Sequence, residues 1–374
     1  MISPKLFRKD VPHKKLGDIV IFLDHIRKPI TTSDRVAGLI PYYGANGIQG
    51  YVKDFLFDED LVLLAEDGGH FEDADRGVAY KVSGKTWVNN HAHVLRPTKN
   101  INVDYLFRVL QNLDLTAYIN GTTRAKLTKA NAARIEIPLP PLAEQQRIAE
   151  LLDTADRILK LRESALAKLD QLAQSLFFQI DQTASKHYKL SDISEIVSGA
   201  TPKSEIKEYW NGVVHWATPA ELGKLNDIFI NQTVRRITNE GLASCAATLL
   251  PINSILFSSR APIGHIAINT VPMATNQGFK SFIVDKEFIE PLYLYYWLSQ
   301  NKLLLQSMGV GATFKELSKS IISAVKIKLP SINEQKKFAN TIGIIRNLKI
   351  KNLSAIEEIK NLLASLQHQS FAVN

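Results

Sequence analysis

The chain has 374 residues, enough for two to three domains, each with its own core. Its 45 Lys and Arg against 37 Asp and Glu leave a net charge of +8, which favours a polyanionic partner, nucleic acid first. The single cysteine, Cys245, excludes an intramolecular disulfide framework and a cysteine-based zinc cluster. With no signal-peptide core after Met1 and no apolar run of membrane-spanning length, a cytoplasmic protein is expected.

Taken in chain order, the sequence states one pattern twice. Leu16-Gly17-Asp18-Ile19 opens a first mixed segment. Tyr42-Tyr43-Gly44-Ala45-Asn46-Gly47-Ile48-Gln49 follows as a glycine-punctuated stretch of aromatics and amides, and Leu61–Ala65 reads as a buried strand. Asp104 to Tyr118 reads as one amphipathic helix ending before a loop at Asn120-Gly121. Ile137-Pro138-Leu139-Pro140-Pro141-Leu142-Ala143-Glu144-Gln145-Gln146 then opens a long heptad-patterned helix.

The second pass begins at Leu190-Ser191-Asp192-Ile193. Ser254–Phe257 reads as a buried strand, and Gly264–Ile268 and Lys280–Val284 as half-buried ones. Pro291 to Ser307 reads as one helix, followed by the loop Gly309-Val310-Gly311. Ile327-Lys328-Leu329-Pro330-Ser331-Ile332-Asn333-Glu334-Gln335-Lys336 opens the second long helix, with Ser331 and Glu334 spaced as a capping box. Over forty positions from Ile137 and Ile327 the copies share about eleven identities, whereas between the landmarks they diverge.

In the first long helix, steps of four and three connect Ile148, Leu152, Ala155, Leu159, Arg162, Leu166, Leu169, Ala173 and Leu176. In the second they connect Phe338, Ile342, Ile345, Lys349, Asn352, Ile356, Ile359, Leu363 and Leu366. Such seams define a left-handed coiled coil, and two in one chain should pack on each other antiparallel. Arg162 is expected to face Asn352 or Lys349 in a hydrated layer that fixes register. The fold class is therefore α+β: two tandem globular units and two long antiparallel helices in a pseudo-twofold internal repeat. The expected boundaries are 1–137, 138–182, 183–327 and 328–374.

Catalytic signatures are missing from the sequence. It has no phosphate loop, no HExxH zinc helix and no Gly-rich strand-to-helix turn for a dinucleotide or adenosylmethionine. His91 and His93 are read as a polar surface pair, because no carboxylate or cysteine partner is evident. Glu66-Asp67 with Glu72-Asp73 is read as a solvated acidic loop, so no metal site is assigned. The candidate contacts are instead DNA-reading side chains on loops and strand ends. In the first unit they are Tyr42, Tyr43, Asn46, Gln49, Asn89, Asn90, His91, Thr122, Arg124 and Lys126. In the second they are Arg235, Arg236, Ser258, Ser259, Arg260, Asn276, Gln277, Lys280, Thr313 and Lys315. Arg, Asn and Gln read base edges bidentately, while Lys, Ser and Thr hold phosphates. The charges on the first long helix balance, which suits a spacer and docking surface more than a groove-binding helix.

The proline-leucine-proline to glutamate-glutamine helix starts, the paired Leu-x-Asp-Ile segments and the glycine loops at Gly121 and Gly311 resemble those of specificity subunits of type I restriction-modification systems. The second copy departs from the pattern at Lys328 and Ser331. The resemblance covers the whole length. It implies two target-recognition domains, each reading half of a gapped site in double-stranded DNA. It also implies helices that set the gap and recruit two adenine methyltransferase subunits, with a motor-nuclease subunit as a further partner. Adenosylmethionine, ATP and Mg would then belong to the partners, and no cofactor to this chain. Two rival readings stand beside it. One is an orphan or inactive structural adaptor without specific DNA binding, which a footprint would exclude. The other is a degenerate methyltransferase or nuclease, which an assay of the lone chain would decide. Each long helix, read at roughly 36 residues, runs roughly 54 Å, more than one DNA repeat of roughly 34–36 Å. Deleting one heptad from both helices is expected to shorten the preferred gap, as read by methylome sequencing. An unchanged gap would contradict a ruler role.

Overall fold

The computed structural model describes residues 11–71, 77–120, 125–260, 262–311 and 315–371. The chain forms two compact units, Met1–Glu163 with Ser354–Asn374, and Ser164–Leu353. The division runs through both long helices, so each unit takes half of each helix into its own core. The sequence instead suggests helices set apart from the globular units.

In the first unit the apolar run Leu61–Ala65 is buried along its whole length, as its composition requires. It lies between Ala92–Pro97 and Ala79–Val82, and Val20–Phe22 completes this antiparallel sheet. A second sheet has the order Gly47–Val52, Ile40–Gly44, Lys85–Val88, Phe57–Asp58, with Ile40–Gly44 parallel to Lys85–Val88. The helix Val103–Asn112 packs on the first sheet, its N-terminus capped by Asn102, whose side chain accepts from the Tyr105 N–H at 3.0 Å. It stops at Asn112, and a separate 3-10 turn covers Thr116–Tyr118, so the single helix expected over 104–118 is two pieces.

The second unit repeats the plan with a larger first sheet. Its order is Ser194–Ser198, Lys280–Val284, Ile255–Phe257, Ile266–Asn269, Phe229–Ile230. Ile266–Asn269 and Lys280–Val284 are mostly buried, because sheet neighbours and the helix Pro291–Gln300 cover residues that alternation alone would expose. The other sheet runs Arg236–Ile237, Trp210–Ala217, Met273–Thr275, the last pair parallel. The helix read over 291–307 breaks at Asn301 into Pro291–Gln300 and Lys302–Ser307.

A short antiparallel pair closes each unit: His13–Lys15 on Glu136–Pro138, and Lys186–Lys189 on Lys326–Leu329. The Leu-x-Asp-Ile turns follow directly, with the Leu16 N–H donating to the Ile135 carbonyl and the Leu190 N–H to the Val325 carbonyl. Proline then stops the pair, and the long helices begin: Leu142–Gln182 and Ile332–Phe371, 41 and 40 residues. Ser331 and Glu334 form the expected capping box, with bonds of 2.6, 3.0 and 3.3 Å. In the first copy Pro141 replaces the serine, and Glu144 pairs with Arg147 instead.

The glutamine next in the motif is fully buried in both copies. Gln145 accepts from the Asn102 N–H at 2.8 Å and donates to the carbonyls of Asn100 (3.1 Å) and Pro140 (2.8 Å). Gln335 accepts from the Glu290 N–H at 3.0 Å and donates to Phe288 (3.1 Å) and Pro330 (3.0 Å). Each glutamine thus ties the start of a long helix to the N-terminus of its unit's own helix. A tyrosine three positions into that helix adds a second link: Tyr105 donates to the Pro138 carbonyl at 2.9 Å, Tyr293 to Lys328 at 3.4 Å.

Within each unit the two helix halves run antiparallel. In the first, Ile148, Leu152 and Ala155 share a core with Leu363, Leu366 and Phe371, and Glu163 meets Lys360 at 3.9 Å. In the second, Phe177 packs on Phe338 with ring centroids 5.9 Å apart, and Lys349 pairs with Asp170. Lys349 therefore meets a carboxylate, and Asn352 is buried on the seam. Phe177 is more buried than the expected seam residue Leu176, because 3.6 residues per turn drift off a strict heptad. Gln335→Ala would strand one N–H and two carbonyls at a buried or part-buried junction. A stability loss of about 3 kcal/mol or more is expected in urea unfolding, at roughly 1–3 kcal/mol per unsatisfied group. A loss below about 1 kcal/mol would contradict the tie.

Candidate nucleic-acid interface

The two units can be aligned by their hydrogen bonds where their sequences do not align. The Asn89 N–H donates to the Tyr43 carbonyl (3.0 Å), and the Asn276 N–H to Ala217 (3.1 Å). Each asparagine Oδ1 then accepts from the N–H two residues on, His91 at 2.8 Å and Gly278 at 2.9 Å. Both are Asx turns joining the second sheet to the first. Counting onward, His93 and Lys280 occupy the same strand position. The glycine loops match as well: the Leu127 N–H donates to the Glu66 carbonyl (2.8 Å), and the Leu317 N–H to Ser259 (2.9 Å). The isolated bridge Asp67–Lys126 therefore corresponds to Arg260–Glu316. The acid and base have exchanged places.

Several candidate residues turn out to be internal, which corrects their reading as DNA contacts. Tyr42 lies on the strand Ile40–Gly44 and is buried, its hydroxyl held between the Ile30 N–H (3.1 Å) and carbonyl (3.4 Å). Ser258 and Ser259 are buried; their hydroxyls donate to the carbonyls of Pro262 (2.7 Å) and Gly278 (3.1 Å). Asn89 is buried in its turn, and its Nδ2 donates to Gln49 Oε1 at 3.2 Å. Lys280 is buried with its Nζ 3.3 Å from Glu316. Glycine punctuation suggested loops at 42–49, whereas these residues form a hairpin whose inward positions serve the core.

The remaining candidates are at least partly exposed. In the first unit Asn46, Gln49, Asn90 and Lys126 are exposed, and Tyr43 and His91 are half-buried. Asn46 donates to the Gly68 carbonyl at 3.1 Å, and Lys126 lies 3.6 Å from Glu66. Burial and neighbouring Tyr51 raise the Tyr43 hydroxyl above the usual tyrosine range. In the second unit Arg235, Arg236, Gln277 and Lys315 are exposed, and Arg260 and Asn276 are half-buried. Gln277 accepts from the Thr201 hydroxyl, and Arg260 lies 3.9 Å from Glu316. Burial, then the charge of Arg236, holds His215 below the ordinary histidine value. Thr122, Arg124 and Thr313 lie outside the described residues, as do Glu72 and Asp73.

His93 also departs from its reading as half of a surface pair. It is buried and has the carboxylate partner that the local sequence hides: Nδ1 lies 2.7 Å from Asp24 Oδ2, and Nε2 2.8 Å from the Leu127 carbonyl. Arg27 donates to Glu66 at 2.7 Å and to the Ala92 carbonyl at 2.7 Å, closing the network. Asp24, Glu66 and His93 bring their ligand atoms within 4.8 Å of one another, yet Arg27 and His93 already engage those carboxylates. A cation there would have to displace a half-buried guanidinium already paired with both carboxylates, so the cluster is an internal ion-pair network. Burial raises Asp24, but the His93 hydrogen bond and charge, the Val94 N–H and Arg27 outweigh it and leave it below the usual carboxylate value. Glu66 therefore belongs to a packed network, not a solvated loop.

Sequence reading missed Arg35. Its guanidinium lies over the Tyr42 ring, 4.2 Å from the centroid. Arg235 lies over Trp210 at 3.9 Å and Trp216 at 5.0 Å. No local pattern marks Arg35, since its ring partner is seven residues away across a turn.

Comparison with known proteins places this architecture. The family model described as type I restriction modification DNA specificity domain matches residues 8–171 and 184–361, once per repeat. A specificity subunit of the type I restriction enzyme MjaIX from Methanocaldococcus jannaschii is 38% identical over 178 residues, 47% of this chain and 41% of that protein. This chain thus matches less than half the length of that relative. A Haemophilus influenzae protein named as a type I restriction enzyme specificity subunit is 28% identical over 352 residues, 91% of this chain and 88% of its own. Among solved structures, the S subunit of a type I restriction-modification system from M. genitalium shares the fold with a TM-score of 0.64 at 13% identity, covering 100% of this chain and 98% of that one. The HsdS subunit from Thermoanaerobacter tengcongensis gives a TM-score of 0.51 at 17% identity, covering 99% and 98%. With the family model matching both halves of the duplicated frame, the chain belongs to the type I restriction-modification DNA specificity family.

Proposed function

We propose that this chain reads an asymmetric, bipartite site in double-stranded DNA, one half with each unit. On its long helices it docks methyltransferase subunits, which bring adenosylmethionine, and a restriction subunit using ATP and Mg can join them. The chain itself supplies recognition and no catalysis. One observation carries the asymmetry. The frame repeats its key backbone and glutamine bonds, yet equivalent positions carry opposite or altered charge: Asp67 and Lys126 against Arg260 and Glu316, and His93 against Lys280. Acidic side chains accept from cytosine or adenine amino groups, whereas arginine donates to guanine. Units that differ in this way favour different half-sites.

The supporting details are local. Arg260 is half-exposed and loosely held by Glu316 at 3.9 Å, so its donors can be redirected. The Asn276 carbonyl is committed to its turn, which makes Arg260 the better probe of the second unit. Methylomes of cells with and without this chain are expected to differ at one non-palindromic, gapped motif. Arg260→Ala is expected to relax that motif in one half only, with roughly 5- to 150-fold weaker discrimination at the affected position, from about 1–3 kcal/mol per bidentate contact. A palindromic motif, or changes in both halves, would overturn independent readers. Absence of any motif would favour the adaptor reading.

A further inference from the structure

Aromatic rings at equivalent positions carry stacked arginines in both units. Tyr42 pairs with Trp87, two positions before Asn89, and Trp216 pairs with Ala274, two positions before Asn276. Since the asparagines correspond, so do Tyr42 and Trp216. Both rings are buried, and each has its polar tip bound to the segment that follows the first strand of its unit's first sheet, Val20–Phe22 or Ser194–Ser198. The Tyr42 hydroxyl bonds to Ile30, and Trp216 Nε1 donates to the Ala200 carbonyl at 3.0 Å. Over these fixed rings lie Arg35 and Arg235. Trp210 adds a second ring to Arg235, set edge-on to Trp216 with centroids 5.2 Å apart. Asn211 follows at φ 60, a conformation asparagine tolerates, at the bulge that shifts Trp210 out of the regular register.

What sets these two arginines apart is what they lack. Arg108 and Arg346 also lie over rings, but their guanidinium donors are consumed by Asp153 and Asp156, and by Asp227. Among the described residues, Arg35 and Arg235 form no ion pair with a carboxylate. Arg35 gives two donors to carbonyls, Nε to Ile30 at 3.4 Å and Nη1 to Gln49 at 3.3 Å, which restrain its plane and leave Nη2 uncommitted among the described residues. A guanidinium packed over a ring has its planar fork restrained, and that fork matches guanine O6 and N7. Exposed apolar side chains adjoin each in sequence, Val36 and Val234, of the kind that contacts thymine methyl groups.

We propose that Arg35 and Arg235 are specificity-determining arginines, one per unit, each stacked on an aromatic shelf so that its outer edge reads a guanine in the major groove. The inference rests on the bipartite-reader function proposed above. The arginines reach their rings from opposite sides in sequence, seven residues before Tyr42 and nineteen after Trp216. They are thus two independent solutions to one geometric need.

The test compares methylomes from cells whose intact system carries Arg35→Lys or Arg235→Lys in the full chain. Lysine keeps the charge and loses the planar fork. Each variant is expected to extend methylation to sites altered at one G·C pair of a single half-site, with discrimination there reduced about tenfold or more. The two variants should act on different halves. Should a lysine variant show no cooperative thermal unfolding, Arg35→Gln or Arg235→Gln provides the same readout. An unchanged motif and ranking would overturn the proposal. So would an equal loss at cognate and near-cognate sites, the signature of a phosphate contact or a purely structural arginine. If the wild-type chain directs no motif at all, the function it rests on fails, a result distinct from a wild-type motif that the variants leave intact.

Discussion

A buried amide side chain at the start of each long helix holds the rest together. Gln145 and Gln335 each bond a backbone N–H and carbonyls on both sides of a junction where three segments meet without sheet hydrogen bonds to share. Helix ends and strand ends leave backbone groups unpaired, and burying them unpaired is costly. Glutamine offers one acceptor and two donors on a stem long enough to reach them. Glutamate would lose the donors, and asparagine the reach. The junction fixes each globular part against its helix half, and the apolar seam then completes the core.

On this frame the two units diverge where backbone geometry does not constrain the side chain. The Asx turns at Asn89 and Asn276 need an acceptor at one position and have kept it. The strand position of His93 and Lys280 needs only a group that can bond with acceptors, and chemistry has drifted there. At the glycine loops the acidic and basic residues of the bridge have exchanged strands, which keeps the backbone bridge and inverts the charge at each position. A frame conserved by hydrogen bonds, carrying surfaces free to change sign, suits a protein that must recognise two unlike half-sites.

Much of this was legible in the sequence, for physical reasons. The long helices announce themselves by a period sustained over many turns, and the buried strands by Leu61–Ala65 and Ile255–Phe257, where apolar runs are short and bounded. The helix-start motif shows as a repeat, although its purpose depends on segments more than forty residues away. What stayed hidden depends on contacts between distant positions. His93 finds Asp24 69 residues away, so a histidine on a strand looked exposed when it was not. Tyr42 sits among glycines that suggest a loop, yet hairpin pairing turns it inward. Arg35 and Arg235 gain meaning only from the rings they cover, and neither ring is a sequence neighbour.

The central claim is that the repeated frame is interchangeable and the readers it carries are not. It is tested most directly by replacing residues 187–328 with a second copy of residues 13–138, joined at the matching closure strands, and sequencing the methylome that the chimaeric chain directs. The account predicts a motif built from two copies of one half-site, the half that the wild-type chain reads with its first unit. A motif that still contains the original second half would contradict it.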